Sequence, residues 1–284
     1  MYKNEQRKEL SAEYQFYEKY YKKKSNKIAR LNRSPTNDDY NRYFDTYKKR
    51  YYDILRETIR HKDKVLDIGC GFGTDHLEMD KSFFTIGIDI SRNALKSALN
   101  SFRERGKKHF QFLQSDSFSI PIQNTSIDIV TCSEVLEHFE NPDPILAEMS
   151  RVIKKNGYII ITTPNVHEPF TFLARALIPR KARFFLYKLT KQGSDAISDT
   201  QCEVGDFDAH KYKINTISVL KKKFKNHGFS VECINIYSLR SPLAFLLRKY
   251  RWALDMWKFF DQCLSVMPFS KYLHWHIVAK LKKV

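Results

Sequence analysis

The string Asp67-Ile68-Gly69-Cys70-Gly71-Phe72-Gly73-Thr74 sets three glycines on alternate positions directly behind the apolar run Val65-Leu66-Asp67-Ile68. Glycines there let the main chain turn sharply and let a ligand lie against it. Asp89 follows at the tip of a second apolar run, Thr85-Ile86-Gly87-Ile88-Asp89-Ile90. Its carboxylate can accept two hydrogen bonds from ribose hydroxyls, each contributing roughly 1.5–3 kcal/mol. Asp116, in Gln114-Ser115-Asp116-Ser117, follows a third run and can bind the amino group of an adenine. One loop and two strand-end carboxylates thus describe a nucleoside pocket. Thr74 stands where the dinucleotide fingerprint wants Gly or Ala. Asp67 adds negative charge beside the loop, where a phosphate would be repelled and a cationic, phosphate-free cofactor welcomed.

The elements that must position these residues are legible from hydrophobic spacing. Five short apolar runs begin at Val65, Thr85, Phe110, Ile127 and Tyr158, with helical patterns between several of them. That is the pattern of an α/β protein with a parallel, doubly wound sheet. Ser91 is placed to cap a helix burying Ala94, Leu95, Ala98, Leu99 and Phe102. Asp143-Pro144 is expected to start another, burying Leu146, Met149, Val152 and Ile153 and ending at Asn156-Gly157. Residues 229–236 and 275–281 read as a sixth and seventh strand. Before the first strand, Tyr14, Tyr17 and Tyr21 recur at helical spacing, as do Tyr40, Tyr43 and Tyr47.

Taken together these strings resemble the class I S-adenosylmethionine-dependent methyltransferases, and are similar to the branch that includes ubiquinone-biosynthesis O-methyltransferases. The residues carrying the resemblance are Val65 to Gly73, Gly87-Ile88-Asp89-Ile90-Ser91, Ser115-Asp116, Asp128 to Phe139, Arg151 to Tyr158 and Thr163-Pro164-Asn165. It implies a Rossmann-like, doubly wound sheet of seven strands with the last antiparallel. By the same resemblance Asp67, Gly69, Cys70, Gly71 and Gly73 hold the methionine part of S-adenosyl-L-methionine. Asp89 and Ile90 take the ribose end, Asp116 and Ser117 the adenine, and Ser133 completes the cofactor set. The stretch from Gly73 to Asp89 is short for the family, so its helix is expected to have only about two turns.

Methyl transfer from a sulfonium is an in-line displacement, so holding the reacting atoms in line is the main task. An oxygen nucleophile must also lose its proton, which a base of near-neutral pKa can accept. His138, in Glu134-Val135-Leu136-Glu137-His138, is the first candidate; the alternative is that it anchors a helix start. His210 is a second candidate and His167 a weaker third. In the quinone-pathway relatives the residues matching Glu134, Glu137 and His138 are associated with a divalent metal, and such a trio can ligate one. The same string occurs in relatives with no known metal, so none is the first expectation and a metal on Glu134, Glu137 and His138 is the minority reading.

The composition bounds the rest. The chain has 284 residues, 42% hydrophobic and 29% charged, with a net charge of +17. The excess is peripheral: residues 1–60, 164–192 and 238–284 carry +7, +5 and +7, while residues 61–163 carry −2. Charge of this kind points to an anionic partner rather than to a fold. Residues 166–190 and 243–260 interleave aromatic and basic side chains, as does a helix lying in a bilayer interface. A lid over a soluble substrate is the alternative reading. No run of 18 uncharged apolar residues and no apolar leader are visible, so neither a spanning helix nor a signal peptide is expected. Five dispersed cysteines suit a reducing cytoplasm. No Asn-Pro-Pro-Tyr, Asp-Pro-Pro-Tyr or Pro-Cys string argues for methylation of a nucleic-acid base.

The expectation is therefore a helical cap over residues 1–60 and a methyltransferase domain over 61–284, with insertions at 166–192 and 238–273. Its activity is expected to be O-methylation of a hydrophobic or lipid-linked small molecule. An RNA methyltransferase and a non-catalytic, methyltransferase-like binding protein are the alternatives. The expected location is the cytoplasm or the periphery of an anionic membrane, with nucleic acid the lesser partner.

Overall fold

The computed structural model describes residues 14–22, 50–164 apart from 78, 80 and 81, 217–237, positions 250, 252–253, 255–256, 259–260, 263 and 267, and 276–284. The apolar runs form strands, and the central ones are buried almost continuously, as in a sheet covered on both faces. These are β1 (Lys64–Ile68), β2 (Phe84–Asp89), β3 (Phe110–Gln114), β4 (Ile127–Ser133), β5 (Ile153–Pro164), β6 (Phe229–Tyr237) and β7 (His276–Lys283). They form one sheet in the order β3-β2-β1-β4-β5-β7-β6. The pairs from β3 to β5 are parallel, and β7 runs antiparallel between β5 and β6. Strand order reverses between β1 and β4, which opens a crevice at their carboxyl ends.

Six described helices accompany the sheet: α1 (residues 14–22), α2 (residues 50–58), α3 (Thr74–Leu77), α4 (Arg92–Glu104), α5 (Asp143–Val152) and α6 (Ile217–Asn226). Adjacent strand residues feed opposite cores, as the two-residue period of a strand requires. Leu66, Val130, Ile159 and Ile277 pack with Leu146 and Met149 of α5 and Leu220 and Phe224 of α6. Val65, Ile129, Ile160 and Val278 pack with Tyr51, Ile54 and Leu55 of α2. Truncating any of these large aliphatic side chains to alanine costs about 2–5 kcal/mol.

Three local expectations change. The segment after Gly73 makes a single helical turn, Thr74–Leu77, not two. Ile153 does not close α5; it opens β5 by pairing with Ile127. Asn156-Gly157 therefore lies inside β5, where Asn156 takes φ +63° and the register with β4 shifts. A Cβ at Gly157 would stand 2.7 Å from the Asp128 carbonyl oxygen, so the bulge needs glycine. Leu99 is only half-buried, although Ser91 caps α4 as expected, its Oγ accepting from the Ala94 N–H at 3.2 Å. Residues 40–47 and 166–192, like His167 and His210, lie outside the described residues.

Candidate active site

β1 ends at Ile68 and the chain turns through Gly69, Gly71 and Gly73, all with positive φ (+69°, +50° and +68°). Only glycine adopts this region without strain. Space demands it too: a Cβ on Gly69 would meet Val135 Cγ2 at 2.4 Å. Inside β2, a Cβ on Gly87 would meet the Phe112 ring at 2.5 Å and Cys70 Sγ at 2.8 Å, so the loop seats directly on the strand. Cys70 donates its N–H to the Ile88 carbonyl, and burial pushes its thiol well above the usual range, so only its main chain is available for recognition.

Asp89 joins this loop. Its Oδ2 accepts from the Gly71 N–H and its Oδ1 from the Ser91 N–H, each at 2.8 Å. Each carboxylate oxygen retains a further lone pair, the pair that two vicinal hydroxyls require. Burial raises its pKa from 3.8 to about 6, with the Asp67 and Glu18 charges adding and the two N–H bonds opposing. Asp67 is buried on the opposite side of the loop, its Oδ1 accepting from Thr131 Oγ1 at 2.8 Å. Thr131 spends its proton on Asp67, so the His76 Nε2, 3.1 Å away, acts as the donor to Thr131. Two buried carboxylates beside bare main chain repel phosphate and suit a ligand with an ammonium group and a ribose. The donor set thus fits S-adenosyl-L-methionine, whose amino group Asp67 would hold and whose ribose Asp89 would hold.

Asp116 and Ser117 lie just past β3, both half-buried. Asp116 Oδ1 accepts from the Phe118 N–H at 2.8 Å, and the Ser115 N–H donates to the Asp89 carbonyl, tying this turn to β2. Ile90 is half-buried, and its carbonyl accepts from Gln114 Nε2. The guanidinium of Arg151, on α5, donates to the carbonyls of Ile120 and Ile122, to Asn124 Oδ1 and to Glu148. Arg151 thereby staples the loop that carries Asp116, a role its place in the sequence pattern did not reveal.

The strand ends of β4 and β5 supply the other wall. Ser133 Oγ lies 3.0 Å from Thr162 Oγ1, which donates to Glu134 Oε1 at 2.9 Å. Glu134 turns the chain with φ +57° into a 3-10 turn, Leu136–His138. Glu137 points inward, where burial and then the Glu134 charge push its carboxyl well above the usual range. Thr163 Oγ1 donates to it. His138 is half-buried, with its Nδ1 3.2 Å from Tyr17 Oη on α1. Among the described residues no three His, Cys, Asp or Glu side chains gather as a metal site, and Glu134, Glu137 and His138 are not brought together as one.

Helix α1 closes this ground from above. Glu18 accepts from the Arg92 N–H at the start of α4 and from Asn93 Nδ2, and Tyr21 packs edge-on against Phe72 at 4.9 Å. Tyr21 Oη would stand 2.9 Å from a Cβ on Gly71. The Tyr14-Tyr17-Tyr21 spacing announced the helix, but nothing in it announced the surface it covers.

Comparison with known proteins agrees with this geometry. A family model described as a methyltransferase domain matches residues 59–202. The ubiquinone biosynthesis O-methyltransferase of Thiobacillus denitrificans is 35% identical over 104 residues, covering 36% of this chain and 44% of that protein. The demethylmenaquinone methyltransferase of Lactococcus lactis is 27% identical over 135 residues, covering 44% and 54%. The chain spans about half the length of these curated relatives. A geranyl diphosphate C-methyltransferase of Streptomyces coelicolor, solved with S-adenosyl-L-homocysteine, shares the fold: TM-score 0.53, 12% identity, covering 84% of this chain and 79% of that one. With more than half its length in that model, the chain belongs to the methyltransferase domain family, as a class I S-adenosyl-L-methionine-dependent member.

Proposed function

We propose that this protein O-methylates a hydrophobic or lipid-linked small molecule, with His138 as the base. When bound, S-adenosyl-L-methionine supplies an electrophilic methyl carbon on sulfur. Asp67 and the 69–73 loop orient the amino-acid end, Asp89 with Ile90 the ribose, Asp116 with Ser117 the adenine, and Ser133 the wall beside them. His138 takes the acceptor hydroxyl's proton on Nε2, while its Nδ1–H donates to Tyr17 Oη, which holds the ring. That contact carries the reading, because an Nδ1–H bonded to Tyr17 belongs to the tautomer whose lone pair sits on Nε2. No metal enters the proposal, and His210 stands as a second base on the same terms.

The names of two relatives, a ubiquinone biosynthesis O-methyltransferase and a demethylmenaquinone methyltransferase, support a quinone-like, apolar acceptor. So does topology. β5 ends at Pro164 and β6 at Tyr237, and both lie in register with His276 at the carboxyl edge of the sheet. The aromatic and basic stretches at 166–192 and 238–273 start from that edge. We read residues 1–60 as a cap and 61–284 as the catalytic domain, working in the cytoplasm or at the surface of an anionic membrane. No described helix is long and apolar enough to cross one.

The test is to incubate the protein with radiolabelled S-adenosyl-L-methionine and a cell extract, then partition the products. Label in the organic phase that disappears with His138→Gln is the expected result. Label in the aqueous or RNA fraction defeats the acceptor assignment.

A further inference from the structure

The described positions between β6 and β7 include large apolar side chains that are exposed. Positions 252–253, 255–256, 259–260 and 263 are helical. Trp252, Met256 and Phe259 fall at spacings of four and three, which puts them on one face of a helix. They are 66%, 64% and 70% exposed, while Ala253, a hundred degrees round, is 3% exposed and Phe260 is 50% exposed. Single exposed apolar residues are ordinary, but three in one helical row mark a contact surface.

Charge selects the occupant. Residues 238–284 hold nine basic and two acidic side chains, and Arg248, Lys249, Arg251 and Lys258 are interleaved with the aromatic residues in sequence. A second copy of a chain carrying +17 would be repelled. An anionic bilayer satisfies both features, taking the apolar row into its acyl boundary and the cations at its headgroups. Tyr237 and His276, where the stretch leaves β6 and enters β7, are paired with each other at the carboxyl edge of the sheet. The chain leaves and re-enters the sheet at the carboxyl edge, the edge at which β1 gives way to the glycine loop.

We infer that Trp252, Met256 and Phe259 form a docking face that inserts into the interface of an anionic lipid bilayer. This deepens the proposed function by naming where a lipid-linked acceptor is met, and its test does not depend on methyl transfer.

The experiment is flotation of the full chain with phosphatidylcholine vesicles, with and without phosphatidylglycerol, alongside the triple variant Trp252→Ser/Met256→Ser/Phe259→Ser. The wild type is expected to float with anionic vesicles only, and the triple variant to bind about tenfold more weakly or worse while keeping wild-type affinity for S-adenosyl-L-homocysteine. Should the triple variant lose that affinity, Phe259→Ser alone carries the comparison. Wild-type protein that ignores anionic vesicles, or a variant that binds them undiminished, overturns the inference. So does a dimer in sedimentation that the triple variant dissolves, or loss of RNA binding with no vesicle binding to lose. Docking with label entering only the aqueous fraction upholds the face and defeats the acceptor assignment; label in lipid extract without docking does the reverse.

Discussion

The Tyr17 hydroxyl lies 3.2 Å from His138 Nδ1, joining the N-terminal helix to the strand-end turn that holds the candidate base. The rings also meet edge to face at 5.8 Å, so the direction of the imidazole is held by two contacts with one residue. If His138 accepts the proton, His138→Gln lowers kcat about 10²–10⁴-fold with little change in affinity for S-adenosyl-L-homocysteine. Tyr17→Phe removes one hydrogen bond and lowers kcat roughly 3–10-fold. The Tyr17→Phe variant should also shift the pH profile of kcat, which a purely structural tyrosine would leave in place. Steady-state kinetics with the acceptor found in the organic phase check both.

Asp89 makes cofactor affinity and protein stability respond to acid in opposite directions. Its folded pKa is raised to about 6, from 3.8, so between these values the folded chain binds more protons than the unfolded one. The contribution of Asp89 to folding therefore improves as pH falls through that window and worsens as pH rises through about 6. Ribose recognition needs the carboxylate, so affinity for S-adenosyl-L-homocysteine falls below about pH 6. The Asp89→Asn variant should bind about 10–100-fold more weakly at pH 7.5 and lose that pH dependence. Calorimetric titrations from pH 5 to 8 would show it, and a flat wild-type profile would remove Asp89 from the ribose site.

Three glycines separate strain from crowding. Gly106 has φ +67° with open space around a built Cβ, Gly87 has no such φ but a Cβ 2.5 Å from Phe112, and Gly69 has both faults. The Gly106→Ala variant is expected to lose about 1 kcal/mol, the cost of the backbone conformation alone. Gly87→Ala should lose roughly 1–3 kcal/mol through overpacking. For Gly69→Ala both costs apply, and cofactor binding should fail as well. Urea midpoints for the three variants, with cofactor titration of each, test the ranking.

Arg151 should prove more than a surface charge. The Arg151→Lys variant keeps the charge but cannot span the carbonyls of Ile120 and Ile122 and the Glu148 carboxylate together. Leaving such partners unmet costs about 1–3 kcal/mol. Melting temperature should drop by several degrees, at about 2–4 °C per kcal/mol for a domain of this size. Affinity for S-adenosyl-L-homocysteine should fall less than in Asp89→Asn, because the loop loosens while the carboxylates stay. Unchanged melting would show that the staple contributes nothing.

The glycine string, Asp89 and the apolar runs were readable in the chain because each rests on near neighbours. A strand's two-residue period, Ser91 capping three residues ahead and a glycine turn after β1 need no knowledge of distant contacts. The misplacement of Ile153 shows the limit. By spacing it completes the α5 face, but its pairing with Ile127 in the neighbouring strand draws it into β5. Likewise Asn156-Gly157 reads as a helix end, and becomes a bulge because β4 runs alongside it.

The short-range order of residues settled the class of fold and the turn of the glycine loop after β1, since these follow from steric and hydrogen-bonding rules that act over a few residues. Which side chains meet across the sheet depended on chain crossings tens of residues apart. Thr131 relaying between Asp67 and His76, Glu18 capping α4, Tyr17 holding His138, and the open row of Trp252, Met256 and Phe259 all arise that way. A helical pattern says that a segment has an apolar face; only packing decides whether that face meets the protein, its cofactor or something outside.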